Sequence, residues 1–266
     1  MSRTVAPPDT LPRATWHAAE RRPAPRVIDR PTLTTLGALA MLVALAWVYL
    51  VASPMPMPAT AGGLYSGRYA ALTLAMWFVM MIGMMTPSVT PATLMFARVN
   101  RHGNPSAAAG RTACFVAGYL AIWLAFSVLA TVLQIAWIAT GWIDAMGVSA
   151  RSTGTAAVLI AVGLYQWTPA KRACLAQCQS PAEFIVRAHR PGLRGGFVMG
   201  LHHGLYCLGC CWALMLLLFV GGVMNLAWVA VIAAIVIVEK LVPRAPWLPR
   251  LVGVGCFAAA VTVVLR

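Results

Sequence analysis

The sequence predicts an all-α fold, a polytopic transmembrane helix bundle of six to seven spans with its N-terminus in the cytoplasm, on three observations. The composition is 61% hydrophobic and only 10% charged, with a mean hydropathy of +0.79, where a soluble domain carries about 25% charged residues. Seven apolar stretches recur along the 266 residues, most of them close to the ~20 residues that carry a helix across a bilayer core. Finally, 17 of the 20 Lys and Arg fall in alternate connections, the asymmetry that places those connections in the cytoplasm. The net charge of +14 therefore reads as topology. It makes no basic patch and no RNA-binding motif, so no nucleic-acid partner is expected.

In chain order, residues 1–31 form a basic, proline-rich leader with Pro7, Pro8, Pro12, Pro23, Pro25 and Pro31, a composition expected to stay disordered. It is too long for the n-region of a signal peptide, so 32–52 reads as a retained first span and 32–266 as one transmembrane domain. Segment 53–69 reads as an external, proline-stiffened linker, although its Met55 and Met57 could touch copper. Stretches 70–97, 112–139 and 152–168 supply spans two to four, and 169–195 a cytoplasmic loop. Span five covers 196–220. GGVMN at 221–225 is a tight turn with Asn225 as N-cap of the sixth span, 225–242. The last stretch, 251–265, is short enough to be either a span or a surface segment.

The chemistry concentrates in HHGLYCLGCCW, residues 202–212. At about 100° per residue, Gly196, Gly200, His203, Gly204, Cys207, Cys210 and Cys211 share an arc of roughly 120°, whereas His202 falls outside it. Glycines at four-residue spacing let a neighbouring backbone approach that face, which is therefore an interface or lines a pocket. Imidazole with thiolate is the ligand set of Zn(II) or Cu(I). Only six acidic residues occur in the chain, and of these only Glu239 lies within a span, which argues against a carboxylate cage.

Other segments offer partners. MWFVMMIGMMTPSVTP, residues 76–91, places Met76, Met80 and Met84 on one arc and Met81 and Met85 beside it. Thioether sulfur suits Cu(I) and holds Zn(II) poorly. Pro87 and Pro91 are expected to break this helix and free carbonyls near a site. In the 169–195 loop, Cys174 and Cys178 form a C-x3-C pair that could pass a metal to His203 or hold a second site, with Lys171 and Arg172 favouring thiolates. Glu239 and Lys240 read as an interfacial pair that could support the site. Cys114 and Cys256 read as packing residues, and His102 and His189 lie in polar loops without ligand neighbours.

With MMIGMMTPSVTP (80–91), GYLAIWLAFSVLATVLQ (118–134), YQWTPAKRACLAQCQSP (165–181), GLHHGLYCLGCCWALMLLLFVGGVMNLAW (200–228) and EKLVP (239–243), the chain resembles an uncharacterised family of bacterial integral membrane proteins predicted to bind metal. The likeness covers roughly residues 70–243. It implies a polytopic helical bundle of the bacterial cytoplasmic membrane with a metal site at His203, Cys207, Cys210 and Cys211, and it implies no established reaction.

Three functions follow as expectations. The first is binding of a soft metal, copper as Cu(I) ahead of zinc, by His203, Cys207, Cys210, Cys211, Met80 and Met84 for transport, delivery or sensing, with the bilayer and a membrane or metal-carrier protein as partners. The second is a membrane thiol-disulfide oxidoreductase using Cys207 and Cys210. The third is a subunit whose glycine face docks a second membrane protein. No Walker, Rossmann, H-E-x-x-H or G-x-S-x-G motif occurs, which disfavours the corresponding enzymes.

Overall fold

A computed structural model describes residues 30–53, 62–103, 105–144, 147–148, 152–242 and 247–265. No β-strand occurs among them. The helices are α1 (Arg30–Ala52), α2 (Gly67–Gly103), α3 (Ala108–Ala139), α4 (Ser152–Gln166), α5 (Pro169–Gln179), α6 (Pro181–Ala188), α7 (Gly192–Leu216), α8 (Leu218–Gly221), α9 (Leu226–Leu241) and α10 (Leu248–Val264). Nearly all of the basic leader, with Met55 and Met57, lies outside the described residues.

Every apolar stretch becomes helix, but the lengths divide them. Four helices are long and apolar enough to cross a membrane: α1, α2, α3 and α7 continued through α8. Apolar helices α4 and α10 are shorter and pack on each other. With 16 residues, α9 rises about 24 Å, less than the ~30 Å of a hydrocarbon core. Its start is capped as the sequence predicts, the Asn225 side chain accepting from Trp228 N at 3.2 Å.

The glycine face of α7 closes against α3. A Cβ at Gly196 would lie 2.7 Å from Arg111 O, one at Gly200 would overlap Phe115 O, and one at Gly204 would lie 2.9 Å from Ile122 Cγ1. Both sets of residue numbers rise together, so the two helices run parallel. Gly118 fits the seam from the other side, against Phe197 O. Small residues thus bring two backbones into contact, and the glycine face, read from the sequence as a docking face for a second membrane protein, packs against α3 of the same chain.

Two expectations about local structure are corrected. Helix α2 runs uninterrupted through Pro87 and Pro91; in the same stretch Met85 O accepts from Ser88 Oγ at 2.8 Å and from the Tyr119 hydroxyl at 3.0 Å, and Thr86 O from Thr90 Oγ1 at 2.9 Å. The expected loop over 169–195 contains two helices. Thr168 caps α5 by accepting from Lys171 N at 3.2 Å, and Pro169 and Pro181 occupy first turns, where a missing N–H costs nothing. Helix α5 packs along α7 and touches α9.

Candidate metal centre

Helix phase places the α7 side chains as the arc predicts. His203, Cys207, Cys210 and Cys211 are buried together with Gly196, Gly200 and Gly204, while His202 is exposed. Opposite them stands α5. The Cys178 Sγ lies 4.0 Å from Cys210 Sγ. The Cys174 Sγ sits over Gly209, 2.7 Å from where a Cβ would be, so glycine is what makes room for it. Cys174 and Cys178, read from the sequence either as a second site or as a pair passing metal toward His203, thus lie in the same sulfur-rich region as Cys207, Cys210 and Cys211. Cys210 and Cys211 donate to Cys207 O at 3.1 and 2.9 Å, which aligns their side chains with the helix.

A buried polar network flanks the sulfurs, and it departs from the expected pairings. Lys171 does not activate Cys174 or Cys178. Its ammonium donates to Glu239 Oε2 at 2.7 Å, both side chains almost fully buried, and also to Gln166 Oε1. Burial, with Cys210 nearby, holds the Cys174 thiol above its ordinary value. Gln179 Nε2 donates to Glu239 O at 2.7 Å, fastening both ends of α5 to the end of α9.

Glu239 and Lys240 do not pair with each other. Adjacent helical residues diverge by about 100°, and both side chains are buried near the end of α9. From there Lys240 Nζ donates to Cys207 Sγ at 2.8 Å and to Ser88 Oγ at 3.4 Å, with Cys211 Sγ at 3.8 Å. The Tyr119 hydroxyl is 3.0 Å from Cys207 Sγ. Sequence reasoning missed Tyr119, Ser88 and Gln166. A signal existed for Lys240, a lysine next to a glutamate within an apolar span; Tyr119 looks like any interfacial or packing tyrosine.

Met76, Met80, Met81, Met84 and Met85 are all buried in the same core as the cysteines. Met85 is linked to the thiols through its carbonyl, Tyr119 and Cys207. His203 is enclosed by Phe184, Phe115 and Tyr119 at ring-centroid distances of 5.1, 6.0 and 6.1 Å, and its Nδ1 is buried without a hydrogen-bond partner among the described residues. On its far side Phe184 borders a cavity of about 340 Å³ that His189, His202, Arg187, Arg190 and Tyr206 also line. Among the described residues, no three His, Cys, Asp or Glu side chains form a ready metal cage. Thiols from two different helices meet at the Cys178–Cys210 contact of 4.0 Å.

Residues 74–263 match the model of the PpoB2 family, described as copper chaperone. No curated protein and no solved structure matches the chain.

Proposed function

The chain belongs to the copper chaperone family, and from that footing we propose that it is a polytopic protein of the bacterial cytoplasmic membrane that takes Cu(I) into the thiol cluster between α5 and α7 and hands it to a partner. The observation that carries the reading is the Cys178–Cys210 separation of 4.0 Å. With a metal–thiolate bond of about 2.3 Å, two sulfurs so placed subtend about 120° at a metal ion. That leaves a third position for soft sulfur, supplied by Cys207 or Cys211 on the same arc of α7.

His203, with its unpartnered Nδ1, and the α2 methionines are then auxiliary donors on the route in or out. Of these donors the thioether sulfurs favour Cu(I) over Zn(II), whereas imidazole serves both. In this reading the bundle has six to seven spans, α4, α9 and α10 being the short ones. The basic leader and the connections that carry 17 of the 20 Lys and Arg lie in the cytoplasm. The bilayer and a copper-carrying or copper-requiring protein are its partners.

The test is copper stoichiometry of detergent-purified protein, loaded anaerobically from a buffered Cu(I) donor, with folding checked by size exclusion. Cys178→Ser and Cys210→Ser are each expected to lose most of the bound copper, and Cys256→Ser to retain it. Full loading of both cluster variants would sink the assignment.

A further inference from the structure

Among the described residues, Lys240 is a buried cation with no carboxylate in ion-pair contact. Its residue is 4% exposed, and Nζ faces Cys207 Sγ, Cys211 Sγ and Ser88 Oγ, with the Tyr119 hydroxyl on the other side of Cys207. At the same end of α9, Lys171 is matched by Glu239. The other acidic side chains among the described residues are exposed: Glu183, paired with Arg187, and Asp144. An isolated ammonium inside a helical bundle is costly unless something answers its charge. Thiol sulfur, able to ionise, is what this site offers.

We propose that Lys240 is a selectivity residue, a fixed positive charge beside the thiol cluster that admits a monovalent soft ion, Cu(I), and disfavours a divalent one such as Zn(II). The inference rests on the copper site proposed above. Metal binding displaces thiol protons and leaves thiolates. However many thiolates bind the ion, Lys240 cancels one negative charge that the cation would otherwise have cancelled. Its repulsion of a divalent ion is twice that of a monovalent one at the same distance. In a water-poor interior that difference acts with little screening. The thiolates and the imidazole do not make this distinction, since they serve zinc as well as copper; the ammonium beside the thiols does.

The experiment measures Cu(I) and Zn(II) affinities by competition with chelators of known strength, under argon, on the full-length protein and on Lys240→Met, Lys240→Gln and Lys240→Arg. Loss of the charge in the Met or Gln variant is expected to shift the Cu(I)/Zn(II) affinity ratio toward zinc, on the order of a hundredfold for a unit charge about 5 Å away at an effective dielectric near 20. The Arg variant, which retains the charge, is expected to keep the ratio near that of the unaltered protein. Gln keeps a polar head for Ser88 and Cys207, so the charge can be removed even where Met is not tolerated. The unaltered protein gives a measurement independent of any variant: Zn(II) should fail to displace Cu(I). Equal competition by zinc there, or an unchanged ratio in the charge-loss variants of a protein that does bind Cu(I), overturns the selectivity role and leaves the copper site standing. Absence of binding by the unaltered protein to either ion overturns the proposed function and this inference together.

Discussion

Removing the Glu239 carboxylate tests how α5 is held against α7. The Lys171–Glu239 contact is 2.7 Å long and almost completely buried. At an effective dielectric near 20 the attraction at that distance is about 6 kcal/mol. Part of it survives in Glu239→Ala, because Gln166 Oε1 still accepts from the ammonium and water can enter the space left. Breaking one partner of a buried pair costs about 3–5 kcal/mol, and that is the loss expected for Glu239→Ala. Glu239→Gln, which keeps an acceptor but no charge, should lose about 1–3 kcal/mol.

Lys171→Met with Glu239→Leu removes both charges together and should recover most of the loss, since well-packed apolar residues often replace a buried pair without penalty. Stability is read from reversible unfolding in mixed micelles. The position of α5 is read from the yield of a short bifunctional thiol crosslink between Cys178 and Cys210 in a protein whose other cysteines are alanine. Glu239→Ala should lower both, and the double replacement should restore both. A Glu239→Ala protein within about 1 kcal/mol of the original, or a double variant no better than the single one, would refute the idea that this pair anchors α5.

Four further outcomes are expected. Gly200→Ala, whose Cβ would overlap Phe115 O of α3, should destabilise by about 1–3 kcal/mol through overpacking, whereas Gly37→Ala, with nothing within 4 Å, should be neutral or gain up to about 1 kcal/mol; thermal melts in detergent distinguish them. His203→Ala should lower copper retention more than His202→Ala, measured as metal per folded protein, and equal losses would count against a role for the buried imidazole. In X-ray absorption of Cu(I)-loaded protein, Met80→Leu with Met84→Leu should thin the sulfur shell; an unchanged shell and affinity would return these residues to packing. Reporter fusions after Gly103 should be active only as cytoplasmic reporters, and activity confined to periplasmic reporters would invert the topology.

Much of the bundle can be read from the sequence because its causes are local. Apolar runs of bilayer length become helices, Asn225 caps α9 as its side chain allows, and the 100° step alone separates buried His203 from exposed His202. The glycine spacing of α7 announces a close neighbour, though not that the neighbour is α3 or that the two run parallel. The errors share another origin. Pro87 and Pro91 remove the helical donors to Gly83 O and Pro87 O, yet α2 continues through both, so a proline within an apolar span is not by itself a break, and the Tyr119 contact to Met85 O comes from a different helix that no local pattern reveals.

The site was partly visible for the same reason. The cysteines of α7 declare themselves by phase, but Cys174 and Cys178 reach them through the packing of α5 along α7, which no local pattern announces. Helix α4 ends at Gln166, where the Tyr165 hydroxyl donates to Gly209 O in α7, and α9 ends at Leu241. Helix α5 packs along α7 and touches α9, bringing two thiols and a lysine to the α7 cysteines. The side chains of Glu239 and Lys240 are buried, the first pairing with Lys171 of α5 and the second facing sulfur. Which partner each of these adjacent charges meets is set by the 100° between them and by helices distant in sequence, so no local pattern assigns them.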